Sequence, residues 1–369
     1  MKILDAYYDP TIISLWLALV CLGFVMVASA SIPLEAGTGA PYHYVLRHGA
    51  YIAGGLGLVG FFSWLPLRYV EMMHKPALVV LVVLCALVLV PGIGMVANGS
   101  RRWISFGAGS IQVSEVAKVL FVLYMAGYFA RHQGLFASNM SVVLRPVGIS
   151  ILVCGLIFRE PDFGTVVILA CVLAGMLFLS GSKLRHFLLV AIVALAVLAA
   201  LSLLQSYRVE RMVSFLDPWS YARDGGYQLT QALIAFGRGD VIGLGLGEGV
   251  QKLFYLPEAH NDFIFAVIAE ELGLIGCLVV IFLLMLLTLR IFRTARVAML
   301  EERYFAAYLS YGAGMIIGIQ SVINIGVNTG MLPTKGLTLP FISYGGNSLL
   351  VCCVLLGFVI RASVEQNRV

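Results

Sequence analysis

Glu258, His260 and Asp262 stand at alternate positions in the run Tyr255-Leu256-Pro257-Glu258-Ala259-His260-Asn261-Asp262, and the apolar stretch Phe263-Ile264-Phe265-Ala266-Val267 follows directly. Two carboxylates and an imidazole are thereby set where a polar loop meets an apolar helix. A carboxylate at such a mouth is partly desolvated, which raises its proton affinity and suits it to take a proton from a hydroxyl. Asp262 also has a simpler reading, as the N-cap of the helix that follows. Its company favours chemistry, because the same loop carries Arg208, Arg211, Arg223, Arg238 and Lys252. A carboxylate near guanidinium and ammonium groups beside a membrane suggests a reaction on a lipid-linked anion whose phosphates those cations hold.

Other polar residues interrupt apolar sequence. Glu115 and Lys118 are three apart in an apolar helix, so they share a face and can pair within the membrane. The pair is either a packing salt bridge or a floor beneath the site. Glu270 and Glu271 begin about 12 Å along the helix from Asp262. With Lys118 the one basic residue expected at depth, at least one glutamate should be protonated or face a water-filled cavity reaching the outer site. The run Gly243-Leu244-Gly245-Leu246-Gly247-Glu248-Gly249 lacks the Lys-Ser or Lys-Thr of a phosphate-binding loop and reads as a surface turn or a backbone able to approach a headgroup. Lys335, in Pro333-Thr334-Lys335-Gly336, is placed at the outer mouth as a further anion contact.

The elements that must position these groups follow from composition. The 369 residues are 60% hydrophobic and 12% charged, with a mean hydropathy of +0.97, which excludes an ordinary soluble domain. At about 20 apolar residues per crossing, helices are expected near 11–32, 47–65, 77–97, 111–130, 142–158, 163–181, 187–206, 263–289, 304–328 and 340–361. The fold class is thus an all-α polytopic membrane protein of about ten transmembrane helices, a single domain over 1–369 with one large extracytoplasmic loop, 207–262. Ala28-Ser29-Ala30 imitates a signal cleavage site. The run before it is too long for one, and Asp5 and Asp9 spoil the basic start. Short-loop cations cluster on the side of the termini, which puts both ends in the cytoplasm and 207–262 outside. The seven cysteines fall in apolar runs and the six histidines are scattered, so neither disulfides nor a metal cluster is expected.

Taken in order, Asn98-Gly99-Ser100-Arg101-Arg102-Trp103, Ser114-Glu115 with Lys118, Glu160-Pro161-Asp162-Phe163-Gly164-Thr165, Tyr207-Arg208 with Arg211, Asp217-Pro218-Trp219, the Tyr255 to Asp262 run, Ala269-Glu270-Glu271 and Ser343-Tyr344-Gly345-Gly346 resemble one family across nearly the whole chain. It is the SEDS (shape, elongation, division and sporulation) family of peptidoglycan glycosyltransferases. Pro257-Glu258-Ala259-His260 and Gly330-Met331-Leu332-Pro333-Thr334-Lys335-Gly336 look like its cell-division branch. The resemblance implies polymerisation of lipid II into β-1,4 glycan strands, with Asp262 as general base and undecaprenyl pyrophosphate as leaving group. It makes Arg102, Asp162, Arg208, Arg211, Glu258, His260 and Lys335 substrate-binding, with Glu115, Lys118 and Glu270 supporting the cavity. It implies lipid II and the nascent strand as ligands and a class B penicillin-binding protein, a transpeptidase, as partner among other divisome membrane proteins. No nucleic acid is implied. The expected place is the bacterial cytoplasmic (inner) membrane at the division septum, with the active site extracytoplasmic. No cofactor is identified, and a requirement for a divalent cation is not readable from the sequence. A lipid II flippase and a non-catalytic divisome scaffold are the competing readings.

Overall fold

The computed structural model describes residues 8–35, 42–97, 100–107, 109–203 and 206–366, apart from the side chains of 34–35, 97, 106, 194–195, 197–203 and 206–210. Helices dominate: α1 (Pro10–Glu35), α2 (His43–Trp64), α3 (Leu67–Met72), α4 (His74–Leu89), α5 (Val113–Arg131), α6 (Met140–Arg159), α7 (Phe163–Leu179), α8 (Leu184–Leu203), α9 (Ser206–Leu216), α10 (Tyr227–Gly239), α11 (Ile264–Leu300), α12 (Tyr304–Asn328) and α13 (Gly346–Gln366). The chain is a helical polytopic membrane protein. Among the described residues seven helices are long and apolar enough to cross a membrane: α1, α2, α5, α6, α11, α12 and α13. The apolar stretches His74–Leu89, Phe163–Leu179 and Leu184–Val193 are shorter. Each of the ten overlaps one of the ten expected spans, with ends that differ. α5 and α13 are the most enclosed, and the principal packing pairs are α11 with α12, α13 with α2, and α5 with α4 and α12.

Two features were not anticipated. The span expected near 77–97 stops at Leu89, because Val90 turns extended and Pro91-Gly92 cannot continue the helix. Beyond it lies a three-stranded antiparallel sheet of β1 (Gly94–Ala97), β2 (Ser100–Phe106) and β3 (Gly109–Gln112), in the order β1-β2-β3. Trp103 pairs with Gln112 across β2 and β3, and the Arg101 guanidinium donates to Leu89 O at 3.1 Å, tying the sheet to the end of α4.

The second feature is a break in α11 at Gly273, whose φ of 65° and ψ of −165° are open to glycine and strained for other residues. The backbone groups freed there are met by the 207–262 stretch, which packs onto the bundle. Leu244 N–H donates to Glu270 O and Gly245 N–H to Glu271 O, both at 3.0 Å, while Leu274 N–H donates to Asp240 O at 2.9 Å. The glycine run therefore docks on the helix break and supplies partners to its backbone groups. It is neither a free surface turn nor part of the cavity described below.

The same stretch corrects the expected charge balance. Lys252 is buried and its Nζ sits 2.5 Å from Glu271 Oε1, while donating also to Ser29 Oγ on α1 at 2.9 Å. Arg238 Nε lies 3.2 Å from Glu270 Oε1, and the Glu270 carboxylate also accepts the N–H groups of Val250 (3.1 Å) and Gln251 (3.0 Å). Both glutamates thus meet loop cations, a long-range pairing that sequence spacing cannot display. Glu270 anchors the loop and does not line the cavity.

Candidate active site

Asp262, Arg102, Asp162, Arg211, Glu258, His260, Lys335 and Glu115 all line one cavity of about 660 Å³. Residues from β2, the α6–α7 junction, α9, the 258–263 turn and the 334–348 segment converge there. Glu258 turns the chain with a φ of 55°, and its carbonyl accepts the N–H groups of Asn261 (3.0 Å) and Phe263 (3.2 Å), which swings Asp262 into the cavity. The side chain of Arg208 lies outside the described residues, as do Asn98 and Gly99. Arg223 is exposed and, like Arg238 and Lys252, does not reach the cavity.

The cap reading of Asp262 does not hold. α11 begins at Ile264 with Phe263 as its N-cap and without a side-chain cap bond. The backbone of Asp262 is gripped from α12: Asn324 Nδ2 and Asn328 Nδ2 donate to Asp262 O at 2.9 and 3.0 Å. Asn324 Nδ2 also donates to Leu337 O at 2.5 Å, and Asn328 Oδ1 accepts Ala266 N–H at 3.1 Å. The carboxylate itself lies against Gly336, where a built Cβ would come 2.8 Å from Asp262 Oδ2. Burial, reinforced by the Glu258 charge, pushes the Asp262 carboxyl up to about 7 against the pull of Arg102 and Arg211. At neutral pH such a group is divided between acid and base forms, which suits proton transfer.

Cations are fixed around this acid. Arg102 donates through Nε to Glu160 O (2.9 Å) and through Nη2 to Pro161 O (2.7 Å). Arg211 Nη1 donates to Thr334 O at 3.2 Å, and Lys335 Nζ stands 4.2 Å from the centre of the Phe163 ring. These contacts hold the cationic heads at the cavity wall. An anion with several oxygens fits there.

Lys118, fully buried, lies behind the wall. Its Nζ is 2.8 Å from Glu115 Oε2 and donates to Gln320 Oε1 at 2.8 Å. Gln320 Nε2 donates onward to Thr338 O (3.0 Å) and Ser348 Oγ (3.1 Å). The pair therefore acts as a floor that braces the 337–348 segment. Asp162 is the true cap, of α7: Oδ1 accepts Thr165 N–H at 3.1 Å and Oδ2 accepts the Thr165 hydroxyl at 3.0 Å.

Sequence reasoning missed two groups. Gln320, Asn324 and Asn328 form an amide ladder at four-residue steps on an apolar helix, a signal that was visible in the sequence. Tyr44 and Tyr51 on α2, Trp103 on β2 and Asn347 on α13 also line the cavity, and only the tertiary fold brings them there. Among the described residues no three His, Cys, Asp or Glu side chains gather to hold a metal ion.

A family model described as "Cell cycle protein", covering FtsW, RodA and SpoVE, matches residues 10–368. A protein of Alcanivorax borkumensis named "Probable peptidoglycan glycosyltransferase FtsW" is 46% identical over 358 residues, which is 96% of this chain and 93% of that one. Its namesake from Coxiella burnetii is 45% identical over 98% of this chain and 97% of its own. Among solved structures, a peptidoglycan synthase complex described as coordinating polymerization and crosslinking contains a chain that superposes with a TM-score of 0.78 at 29% identity, over 98% of this chain and 99% of that chain. The Thermus thermophilus rod shape determining protein RodA superposes at 0.72 with 28% identity, over 99% of both.

Proposed function

This chain belongs to the cell cycle protein family of FtsW, RodA and SpoVE, and we propose on that footing that it is a peptidoglycan glycosyltransferase of cell division that polymerises lipid II, with Asp262 as its general base. The observation that carries the assignment is the Asp262 carboxyl, raised to about 7 and set in a cavity it shares with Arg102, Arg211 and Lys335. In the reaction the 4-hydroxyl of an incoming lipid II attacks the anomeric carbon at the lipid-linked end of the growing strand. The hydroxyl proton passes to Asp262 as the new carbon–oxygen bond forms. The bond from that carbon to undecaprenyl pyrophosphate breaks, and the diphosphate leaves with the electron pair. Attack opposite the leaving group turns an α-linked donor into a β-1,4 bond and needs one base.

Arg102, Arg211 and Lys335, with Arg208 as a fourth candidate, hold the diphosphate and stabilise its developing charge. Asp162 fixes the α6–α7 junction on which Arg102 rests, and the Glu115–Lys118 floor fixes the segment that carries Lys335. Glu258 raises the proton affinity of Asp262, and His260 lines the acceptor approach. Both termini lie in the cytoplasm and the cavity opens on the outer face, where a donor carrying its own leaving group needs no nucleotide. Strand synthesis and crosslinking are coupled in the solved synthase complex, which supports a penicillin-binding protein as partner here.

The test is polymerisation of labelled lipid II by the purified protein together with its transpeptidase partner. Asp262→Asn is expected to lower the rate by roughly 10²–10⁴ while leaving lipid II binding in place. A full rate from the variant removes the base assignment. Lipid II translocation without polymer, from the unaltered protein with its partner present, moves the assignment to a transporter.

A further inference from the structure

The cavity has two chemically different sides, and Asp262 belongs to both. Arg102, Arg211 and Lys335 gather on the 334–336 turn and the α6–α7 junction, and Gly336 brings that side against the Asp262 carboxylate. Two residues back along the chain, His260 joins a cluster of rings. Its centroid lies 4.9 Å from that of Tyr44 and 5.4 Å from that of Tyr344, and the two tyrosines meet edge to face at 5.2 Å. All three rings are half-buried and line the cavity.

The ring cluster is a built surface. Tyr344 N–H donates to His260 O at 3.0 Å, which ties the two strands of chain that carry the rings. Buried His48, one turn beyond Tyr44 on α2, backs Tyr344 at 5.9 Å and stacks against Phe24 on α1 at 6.4 Å. The polar groups beside the rings are Gln112 on β3, Asn347, whose Nδ2 donates to Ser110 O at 3.1 Å, and one cation, Arg47 on α2, whose Nε donates to the Tyr51 hydroxyl at 3.3 Å and which also engages the Tyr344 hydroxyl. Aromatic faces next to amides and hydroxyls match a pyranose, which presents apolar C–H faces and a rim of hydroxyl and acetamido groups. A single guanidinium already engaged by tyrosine hydroxyls suits a diphosphate less well than the three cations of the other side.

We propose that Tyr44, His260 and Tyr344 form the acceptor saccharide subsite, which takes the N-acetylated disaccharide of the incoming substrate with its attacking hydroxyl directed at Asp262. The assignment rests on the glycosyltransferase reading and deepens it. The donor diphosphate occupies the cations, and the acceptor hydroxyl must sit at Asp262. The acceptor sugar therefore extends toward the side where the rings are.

Two probes separate the sides: the free N-acetylglucosaminyl-N-acetylmuramic acid disaccharide, which lacks phosphate, and inorganic pyrophosphate, which lacks sugar. Binding of each to the full chain is followed by saturation-transfer NMR, with thermal melting as the check on folding. Tyr44→Leu and Tyr344→Leu are each expected to weaken disaccharide binding by about threefold to tenfold, and pyrophosphate binding should stay within about twofold. Tyr44→Phe, which keeps the ring, should retain the disaccharide. Arg102→Gln should show the reverse pattern and lose pyrophosphate. Disaccharide binding untouched in melting-competent leucine variants overturns the subsite, as does parallel loss of both probes. So does an unaltered protein that fails to bind the disaccharide at about 20 mM. Repeating the titrations in Asp262→Asn keeps the two readings apart. A variant that polymerises normally sinks the base assignment, whereas the ring dependence of disaccharide binding is read in either background.

Discussion

Asp162 and Asp262 face the same cavity, each followed by a phenylalanine and then by an apolar helix, yet the fold uses them in opposite ways. Asp162 caps α7, and a threonine three residues on offers both an N–H and a hydroxyl to its carboxylate. Three residues after Asp262 stands Phe265, and α11 starts one residue later relative to the aspartate. The cap position passes to Phe263, and the Asp262 carboxylate is left for the cavity. Its placement is supplied instead by two asparagines that hold the backbone carbonyl. The difference lies in what is fixed: at Asp262 the main chain is held and no side-chain cap bond is made, as the proposed base requires.

The neighbouring glutamates are exchanged in the same sense. Glu258 is exposed and its charge helps to raise Asp262. Glu160 is fully buried, and burial, assisted by the Asp162 charge, pushes it up to about 8 despite nearby Arg102. Each junction thus holds one acid of raised proton affinity, and only that of Asp262 opens on the cavity.

The sharpest way to break the comparison is to neutralise the two aspartates. Beyond the large loss of rate described above, Asp262→Asn should raise thermal stability at pH 8. The sign follows from linkage: an acid whose native value is raised from 3.8 to about 7 binds more protons in the folded state, so its contribution is complete at low pH and is lost as pH climbs through 7. The asparagine variant escapes that loss, and its advantage should vanish near pH 4. Asp162→Ala should instead lower stability by about 1 kcal/mol at neutral pH, the cost of a lost N-cap. Melting curves that shift the same way for both variants contradict the division of roles. In the active protein, the polymerisation rate should rise with pH through about 7 as Asp262 deprotonates.

A smaller effect is expected from Gly336→Ala. The added methyl meets Asp262 Oδ2 at 2.8 Å and must displace it, and displacements on the order of 1 Å cost about 10²-fold in rate. The loss should fall on kcat with KM little changed, since the cations are untouched. Smaller again is Asn324→Ala, which leaves Asn328 holding the Asp262 carbonyl but removes the donor to Leu337 O. We expect roughly tenfold in kcat and about 1–3 kcal/mol in stability from the orphaned carbonyl. Full activity in Asn324→Ala would show that the asparagine grip does not place the base.

These placements divide by what a sequence can express. The ten apolar helices were readable because each is a local composition, and Asp262 because it ends a charged loop at the edge of one. The β1–β3 sheet was hidden by short strands lying between two apolar helices. The Lys252–Glu271 pair joins a loop to a helix it does not adjoin in spacing or periodicity, and the ring cluster brings α2 over a turn more than 200 residues away. The amide ladder on α12 was different. Its four-residue step is local and legible, and only its target, the carbonyl of Asp262, required the fold.

Glu160→Gln should have the least effect on rate and gives the most direct reading of the other junction. Arg102 is held by the carbonyls of Glu160 and Pro161, not by the Glu160 carboxyl, so a neutral amide of nearly the same shape leaves the guanidinium in place. Polymerisation should stay within about twofold, since no group that contacts the transition state is moved. Stability should change, with a pH dependence set by the raised acid. Glu160 contributes fully below its ordinary value near 4.5, and that contribution is gone above about 8, where the buried carboxylate must be charged. Glu160→Gln should therefore match the parent near pH 4.5 and melt at a higher temperature at pH 9, a difference on the order of a few kcal/mol. A variant that instead loses activity at neutral pH would mean that the Glu160 proton takes part in the reaction, and the two junctions would then be two halves of one acid–base system.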